Sequence, residues 1–246
     1  MIREQNLQVT DAPNMAYDAV LTAGNFKPIL FSTPMVQAIL RDEKTQTRRL
    51  LNPQPDKSVT DIISNCSEFV SAYPNRKVIK PFEFTTKCKY KIGDILWVRE
   101  TWQHTKCLNI NFEDENYGYV YKADGQPWED YEHWNWKPSI FMPKEACRIF
   151  LKLKSIRIER LNDITESDAI AEGIERWTEE RMKSKPTHYK VYFQNCKPED
   201  LMSYTSDPID SYETLWQKIN GEKSWAENPF VWVYEFERCE ASFACR

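Results

Sequence analysis

The stretch CRIFLKLKSIRIERL, Cys147 to Leu161, alternates apolar and polar residues through Ile149, Leu151 and Leu153, then slips by one so that Ile156 and Ile158 continue the series. Strict alternation puts every second side chain on one face of a strand, so the slip predicts one accommodated extra residue, a β-bulge near Ser155. A bulge bends its strand, and bent strands let an antiparallel sheet curl toward a barrel. Arg148, Lys152 and Lys154, followed after the slip by Arg157, fall on the opposite face, either as solvated charges or as a stripe that contacts phosphates.

Downstream, LNDITESDAIAEGI reads as a short helix with Thr165 as N-cap, Asp168 three residues on in a variant of the capping box, and Gly173 as the stop. Glu172 then lies in the last turn, where a carboxylate meets the negative end of the helix dipole; the position suits an acid or base, or a merely exposed side chain. DPIDSYETLWQKING follows as an amphipathic helix capped by Asp207, started by Pro208 and stopped by Gly221, with Ile209, Tyr212, Leu215, Trp216 and Ile219 as its buried stripe. NPFVWVYEFER is apolar on both faces and reads as an interior strand.

Upstream, KPILFS (Lys27 to Ser32) reads as a strand, and Thr33 and Pro34 as the cap and first turn of a helix with the apolar stripe Met35, Val36, Ile39 and Leu40. Just past that helix, ILRDEKTQTRRLLNP (Ile39 to Pro53) gathers Lys44, Thr45, Thr47, Arg48 and Arg49, either as solvated charges at a helix end or as an anion-facing, reactive corner. KIGDILWVRETW is a turn followed by strand, with Arg99, Glu100 and Trp102 embedded in it; the charges form either a cross-strand ion pair or the lining of a pocket. YGYVYKADG (Tyr117 to Gly125) alternates as a strand. QPWEDYEHWNWKPS sets Trp128, Trp134 and Trp136 in a polar loop, where the rings either plug a core edge or offer stacking faces to bases.

The chain has 246 residues, 41% apolar and 13% aromatic, enough for one large core or two small ones. One domain is expected over 27–238, with inserted segments near 52–90 and 175–206, a polar extension over 1–26 and a tail over 239–246. With 33 Lys and Arg against 37 Asp and Glu, and a net charge of −4, no global field draws the protein onto nucleic acid, so any polyanion contact must be local. MIREQNLQVTDAPNM never reaches the apolar run of a signal peptide and no window suits a membrane span, which predicts a cytoplasmic protein with no membrane partner. The seven cysteines (Cys66, Cys88, Cys107, Cys147, Cys196, Cys239 and Cys245) are widely spaced and read as reduced thiols. Zinc on Cys88, His104 and Cys107 lacks a fourth ligand, so no metal or other cofactor is expected. No residue pattern sets an oligomeric state.

Four pieces taken together, PILFSTPMVQAILRDEKTQTRR, KIGDILWVRETW, LNDITESDAIAEGI and NPFVWVYEFER, resemble the ASCH-domain family, in the longer version common in tailed-phage and prophage genomes. The resemblance implies an α+β fold, a PUA-like β-barrel with flanking helices, and a cleft associated with RNA or modified nucleosides. Small bacterial members of that superfamily are amidohydrolases that remove the acetyl group from N(4)-acetylcytidine with a lysine, a threonine three residues later and a distant glutamate. Lys44, Thr47 and Glu172 stand at the matching places.

The chemistry of those residue types fits amide hydrolysis: a threonine hydroxyl as nucleophile, a lysine base made available by desolvation and by cations such as Arg48 and Arg49, and a glutamate to hold the lysine or relay a proton. A regular strand would send Lys44 and Thr47 to opposite faces, so the site requires a bend within KTQT. The alternative is a non-catalytic RNA-binding module. Either ligand, a modified nucleoside or single-stranded RNA, would meet Arg48, Arg49, Arg99, Glu100, Trp102, Trp134 and Trp136.

Overall fold

The computed structural model describes residues 25–55, 59–65, 69–74, 84–104, 118–125, 134–177, 188–193 and 203–240. The polar extension up to residue 24, Tyr117, Trp128, Cys66, Cys107, Cys196 and Cys245 lie outside the described residues. Along the chain run β1 (Phe26–Leu30), helix α1 (Thr33–Leu40), β2 (Gln46–Leu50), β3 (Val59–Asn65), β4 (Phe69–Pro74), β5 (Phe84–Lys87), β6 (Ile95–Arg99), β7 (Trp102–His104) and β8 (Tyr119–Tyr121). Short 3-10 turns lead to β9 (Phe150–Arg160), α2 (Glu166–Ala171), β10 (Arg176–Trp177), β11 (His188–Lys190), β12 (Tyr204–Thr205), α3 (Pro208–Asn220) and β13 (Phe230–Cys239). The architecture is mixed α+β with a core made mostly of sheet.

The main sheet has the order β1-β6-β9-β13-β2, parallel between β1 and β6 and antiparallel elsewhere. The expected bulge is present: Glu235 pairs with Ser155 and Phe236 with Leu153, which leaves Lys154 as the extra residue. Beyond it Ile156 and Ile158 pack against the same core as Leu151 and Leu153. The ladder is open, with β1 and β2 as its edges. Helix α1 carries the chain from one edge to the other, and the Arg49 guanidinium on β2 donates to the Leu30 carbonyl on β1 at 2.7 Å. A side chain, not a backbone ladder, spans this seam.

Interior strand β13 is apolar on both faces because it separates two cores. Trp232, Tyr234 and Phe236 join Phe31, Leu96, Val98 and Leu153 on one side, whereas Val231 and Val233 meet Tyr212, Trp216 and Ala169 of the helices on the other. The caps form as their residues dictate, with Thr165 Oγ1 accepting from Asp168 N–H and an Asp207 carboxylate oxygen accepting from Ile209 N–H. Two details differ from expectation. Ser32, not Thr33, holds the N-cap position of α1. Ile219, expected in the buried stripe of α3, is 56% exposed.

The segments read as excursions are structured where they are described. β3, β4 and β5 form one small antiparallel sheet, and β10, β11 and β12 another. Tyr189 and Tyr192 bury their rings in the helix-side core, so the second segment contributes to packing. No helix among the described residues is long and apolar enough to cross a membrane.

The bulge makes a stability prediction. Leu153→Ala removes a fully buried side chain and should cost about 3 kcal/mol, and Ile156→Ala, beyond the slip, about 1–2 kcal/mol in denaturant unfolding. A strand without the bulge would put Ser155 on the core face and make Ile156→Ala nearly neutral.

Candidate functional site

The site begins where α1 ends. Asp42 takes a left-handed conformation (φ 58°), and the N–H groups of Glu43 and Lys44 both donate to the Ala38 carbonyl, at 2.9 and 3.2 Å. The chain therefore bends before β2 begins at Gln46, and Lys44 is free of the alternation that governs Thr47. Thr45 N–H then donates to Ala171 O at 2.9 Å, which docks the bend on the end of α2. The approach is so close that a Cβ at Gly173 would lie 2.7 Å from Lys44 Cβ and 2.9 Å from Ala38 Cβ, and Gly173 itself has φ +79°. Only glycine satisfies both the contact and the backbone.

This docking brings Lys44 onto Glu172. The ammonium donates to Glu172 Oε2 at 2.8 Å and to the Glu172 carbonyl at 2.7 Å, while Arg48 Nη1 donates to Glu172 Oε1 at 3.2 Å. Of the alternatives for Glu172, the merely exposed side chain is thus excluded, since it is buried with two cations on it. The Lys44 and Arg48 side chains are both 0% exposed and Glu172 is 4% exposed, and buried charges of this kind persist only when paired.

Arg48 also donates to Glu159 and to Asp168 Oδ2, the latter at 3.1 Å, and Arg157 closes the network on Asp168, Glu159 and Glu235. Burial works against the Arg48 charge, but Glu172, Tyr212 and Glu159 outweigh it and hold the guanidinium above its ordinary range. Asp168 is likewise raised by burial and lowered more strongly by Arg48 and Arg157. Its carboxylate is therefore engaged with arginines and does not reach back to close a capping box. For Lys44 the balance goes the other way: burial pushes the ammonium below 10.5, Arg49 and Arg48 act in the same direction, and opposition from Glu172 is insufficient.

Beside this network lies a cavity of about 340 Å³ lined by Thr47, Arg48, Arg49, Glu172, Tyr212 and Trp216. Thr47 and Arg49 are the register partners of Tyr234 and Trp232, and Arg48 that of Val233, so consecutive side chains point to opposite faces of the sheet. All three reach one cavity because β2 is an edge strand and the space lies beyond its open edge. Met35, Leu50 and Ile219 add an apolar rim. Lys44 is not in the lining; it stands behind Glu172, and the Thr47 side chain lies outside the ion-pair network.

Of the other residues expected to bind ligand, Arg49 lines the cavity with its guanidinium 5.4 Å from the centre of the Phe31 ring. Arg48 lines it too, but its guanidinium is taken up by carboxylates. Arg99 is half-buried, lies over Trp97 and donates to the Ile140 carbonyl. Glu100 is buried in a two-pronged pair with Arg148, at 2.9 and 3.0 Å, which resolves the earlier alternatives for it in favour of an ion pair. Trp102 packs with Tyr121 and Met142 in a small core of its own. Trp134 and Trp136 are half-buried with ring centroids 5.5 Å apart, and neither lines the cavity.

Three of the four residues of the expected basic stripe, Arg148 just before β9 and Lys154 and Arg157 on it, are paired to carboxylates. Sequence reasoning missed the α3 wall of Tyr212 and Trp216 as cavity lining, although their place in the stripe was clear. No group of three His, Cys, Asp or Glu among the described residues is arranged to hold a metal.

Two substitutions test the docking. Gly173→Ala combines a backbone at positive φ with two close contacts and should cost about 2–4 kcal/mol. Arg48→Met leaves three carboxylates short of a cation and should cost about 3–5 kcal/mol in denaturant unfolding. A loss below about 1 kcal/mol for either would mean that the Lys44 bend does not sit on the end of α2.

Comparison of the chain with protein-family models, with curated proteins and with solved structures finds no match.

Proposed function

We propose that this is a PUA-like protein of the ASCH type whose cavity takes an N-acylated cytosine nucleoside, N(4)-acetylcytidine or a relative, and hydrolyses its amide. The observation that carries the reading is the buried Lys44–Glu172 pair beside a cavity that Thr47 and Glu172 both line. The three residues come from the sequence resemblance, and the bend after α1 supports the reading by freeing Lys44 from the strand alternation that would turn it away from Thr47.

The two hydrogen bonds of Lys44 suggest how a base could form. A neutral amine has two N–H donors and one lone pair, whereas an ammonium has three donors and no acceptor. The Glu172 carbonyl and carboxylate accept two N–H bonds from Lys44, which leaves the third direction for a lone pair. Burial and the neighbouring arginines favour that neutral form.

In the proposed reaction Thr47 Oγ1 attacks the acetyl carbonyl carbon, and its proton passes to the Lys44 amine by way of the Glu172 carboxylate, which lines the cavity in front of it. The tetrahedral intermediate collapses as the C–N bond breaks, and the departing N4 amine of cytosine takes the proton back from Lys44. Water then hydrolyses the acetyl-threonine ester, again with Lys44 as base, and releases acetate. Glu172 fixes Lys44 in place and stabilises the transient ammonium.

A second reading, binding of single-stranded RNA without chemistry at the same cavity, is favoured by Arg49, whose guanidinium meets no carboxylate among the described residues. The readings separate on turnover. The protein should release cytidine and acetate from N(4)-acetylcytidine; Thr47→Ala should abolish this, Thr47→Ser keep part of it, and Lys44→Met and Glu172→Gln each lose about a hundredfold or more. Because the neutral amine is the base, the rate should rise with pH along a limb centred below 10.5. No turnover of acetylated, other acylated or RNA-embedded cytidine, in protein shown by circular dichroism to be folded, would leave the binding module.

A further inference from the structure

We propose that the Tyr212 hydroxyl is a catalytic hydrogen-bond donor that receives the acyl oxygen of the ligand in the cavity. Resting on the hydrolase reading of that cavity, the assignment supplies a part the reaction requires. When Thr47 Oγ1 bonds to the acyl carbon, the carbonyl electron pair moves onto its oxygen, and an oxyanion withdrawn from water needs a donor already aimed at it. The cations of the ion-pair network are not available for this. Lys44 stands behind Glu172, and the Arg48 guanidinium is taken up by Glu159, Asp168 and Glu172.

Tyr212 is placed by the same guanidinium that organises the site. Arg48 Nη1 donates to Glu172 Oε1 at 3.2 Å, and the central carbon of that guanidinium lies 5.9 Å from the centre of the Tyr212 ring. Tyr212 thus reaches Arg48 from α3 as Glu172 reaches it from the end of α2, and both line the cavity together with Thr47, the residue before Arg48.

The ring is also held in position. The Trp216 and Trp225 rings each lie 6.3 Å from it. On the same turns of α3, Ser211 Oγ donates to the Lys190 carbonyl at 2.6 Å and Thr214 Oγ1 accepts from Tyr192 N–H at 3.0 Å. A donor fixed before the reaction begins needs no reorganisation when charge develops.

The hydroxyl itself is unspent. Tyr90 and Tyr121 give their hydroxyl protons to the Pro28 and Ala146 carbonyls. Tyr212 is 4% exposed, yet its hydroxyl has no hydrogen-bond partner among the described residues, and both Glu172 oxygens are occupied by Lys44 and Arg48. Buried hydroxyls are normally paired, so an unpaired one on a cavity wall is one that a ligand completes. Burial keeps the phenol protonated well above pH 10 and Glu172 acts in the same direction, while Arg48 and Arg49 oppose them. The proton therefore stays on Tyr212 as a donor: it is shared with the oxyanion, not transferred, and the charge returns to the carbonyl as the C–N bond breaks.

Tyr212→Phe removes the hydroxyl and keeps the ring. The kcat for N(4)-acetylcytidine should fall about a hundredfold with KM nearly unchanged, and the pH limb should keep its wild-type midpoint, because the base is Lys44. Denaturant unfolding should be unchanged, since no hydrogen bond is lost. A variant that loses stability and rate together would make Tyr212 structural and overturn the assignment.

A second measurement does not depend on turnover. Calorimetric titration of Thr47→Ala protein compares N(4)-acetylcytidine with N(4)-ethylcytidine, which has the same length and no acyl oxygen. The acetyl compound should bind about threefold to tenfold more tightly, and the ratio should fall toward one when Tyr212→Phe is added. That result in a protein whose wild type shows no turnover would uphold Tyr212 as the carbonyl donor and overturn only the hydrolase reading. Turnover by Tyr212→Phe within about threefold of wild type would overturn the assignment and leave hydrolysis standing. An acetyl preference that Arg49→Met removes and Tyr212→Phe does not would give the oxygen to Arg49 and likewise overturn it. Folded protein that neither binds nor hydrolyses the acetyl compound would overturn both.

Discussion

Glu172 is a buried carboxylate, and most of the site's geometry follows from what compensates it. Lys44 reaches it from the bend after α1 and Arg48 from β2, so one side chain fixes the end of α2, the end of α1 and the start of an edge strand relative to one another. Removing any member would leave a charge uncompensated in a poorly solvated place, which costs several kcal/mol. Gly173 enforces the same arrangement sterically, because the backbone beside Glu172 passes too close to Lys44 for any side chain.

The open edge of the sheet is the second determinant. In a fully paired strand Thr47 and Arg48 would serve opposite faces and could not share a ligand. On β2, with β13 on one side only, both border a single cavity that α1 and α3 wall in. On the proposed reading the gap in the ladder is therefore the binding site. The Arg49 bond to Leu30 then holds the seam together at one point and keeps a cation beside the cavity.

What could be read from the sequence was local. The bulge in β9 showed as a broken period of two, and the helices showed through Thr165, Asp207, Pro208, Gly173 and Gly221, each of which acts within a few residues. What could not be read was pairing over distance. Arg48 meets Glu159, Asp168 and Glu172 across separations of 111, 120 and 124 residues, and nothing near any of them marks the others. The same blindness left Arg148 and Arg157 to read as solvated charges or a stripe for phosphates when they are neutralised by carboxylates, and made Trp102 a ligand-binding candidate when its ring is packed. Lys44, Thr47 and Glu172 were named through resemblance; their spacing alone would have argued against them, because the bend that frees Lys44 depends on docking against α2.

The central claim is that Thr47 becomes covalently acylated beside the Lys44–Glu172 pair. Rapid quenching of the protein with N(4)-acetylcytidine in the steady state, followed by peptide mapping by mass spectrometry, tests this directly. The account predicts an acetyl ester on Thr47 that accumulates during turnover and disappears when substrate is exhausted. Turnover with no label on Thr47, or with the label on another residue, would contradict it.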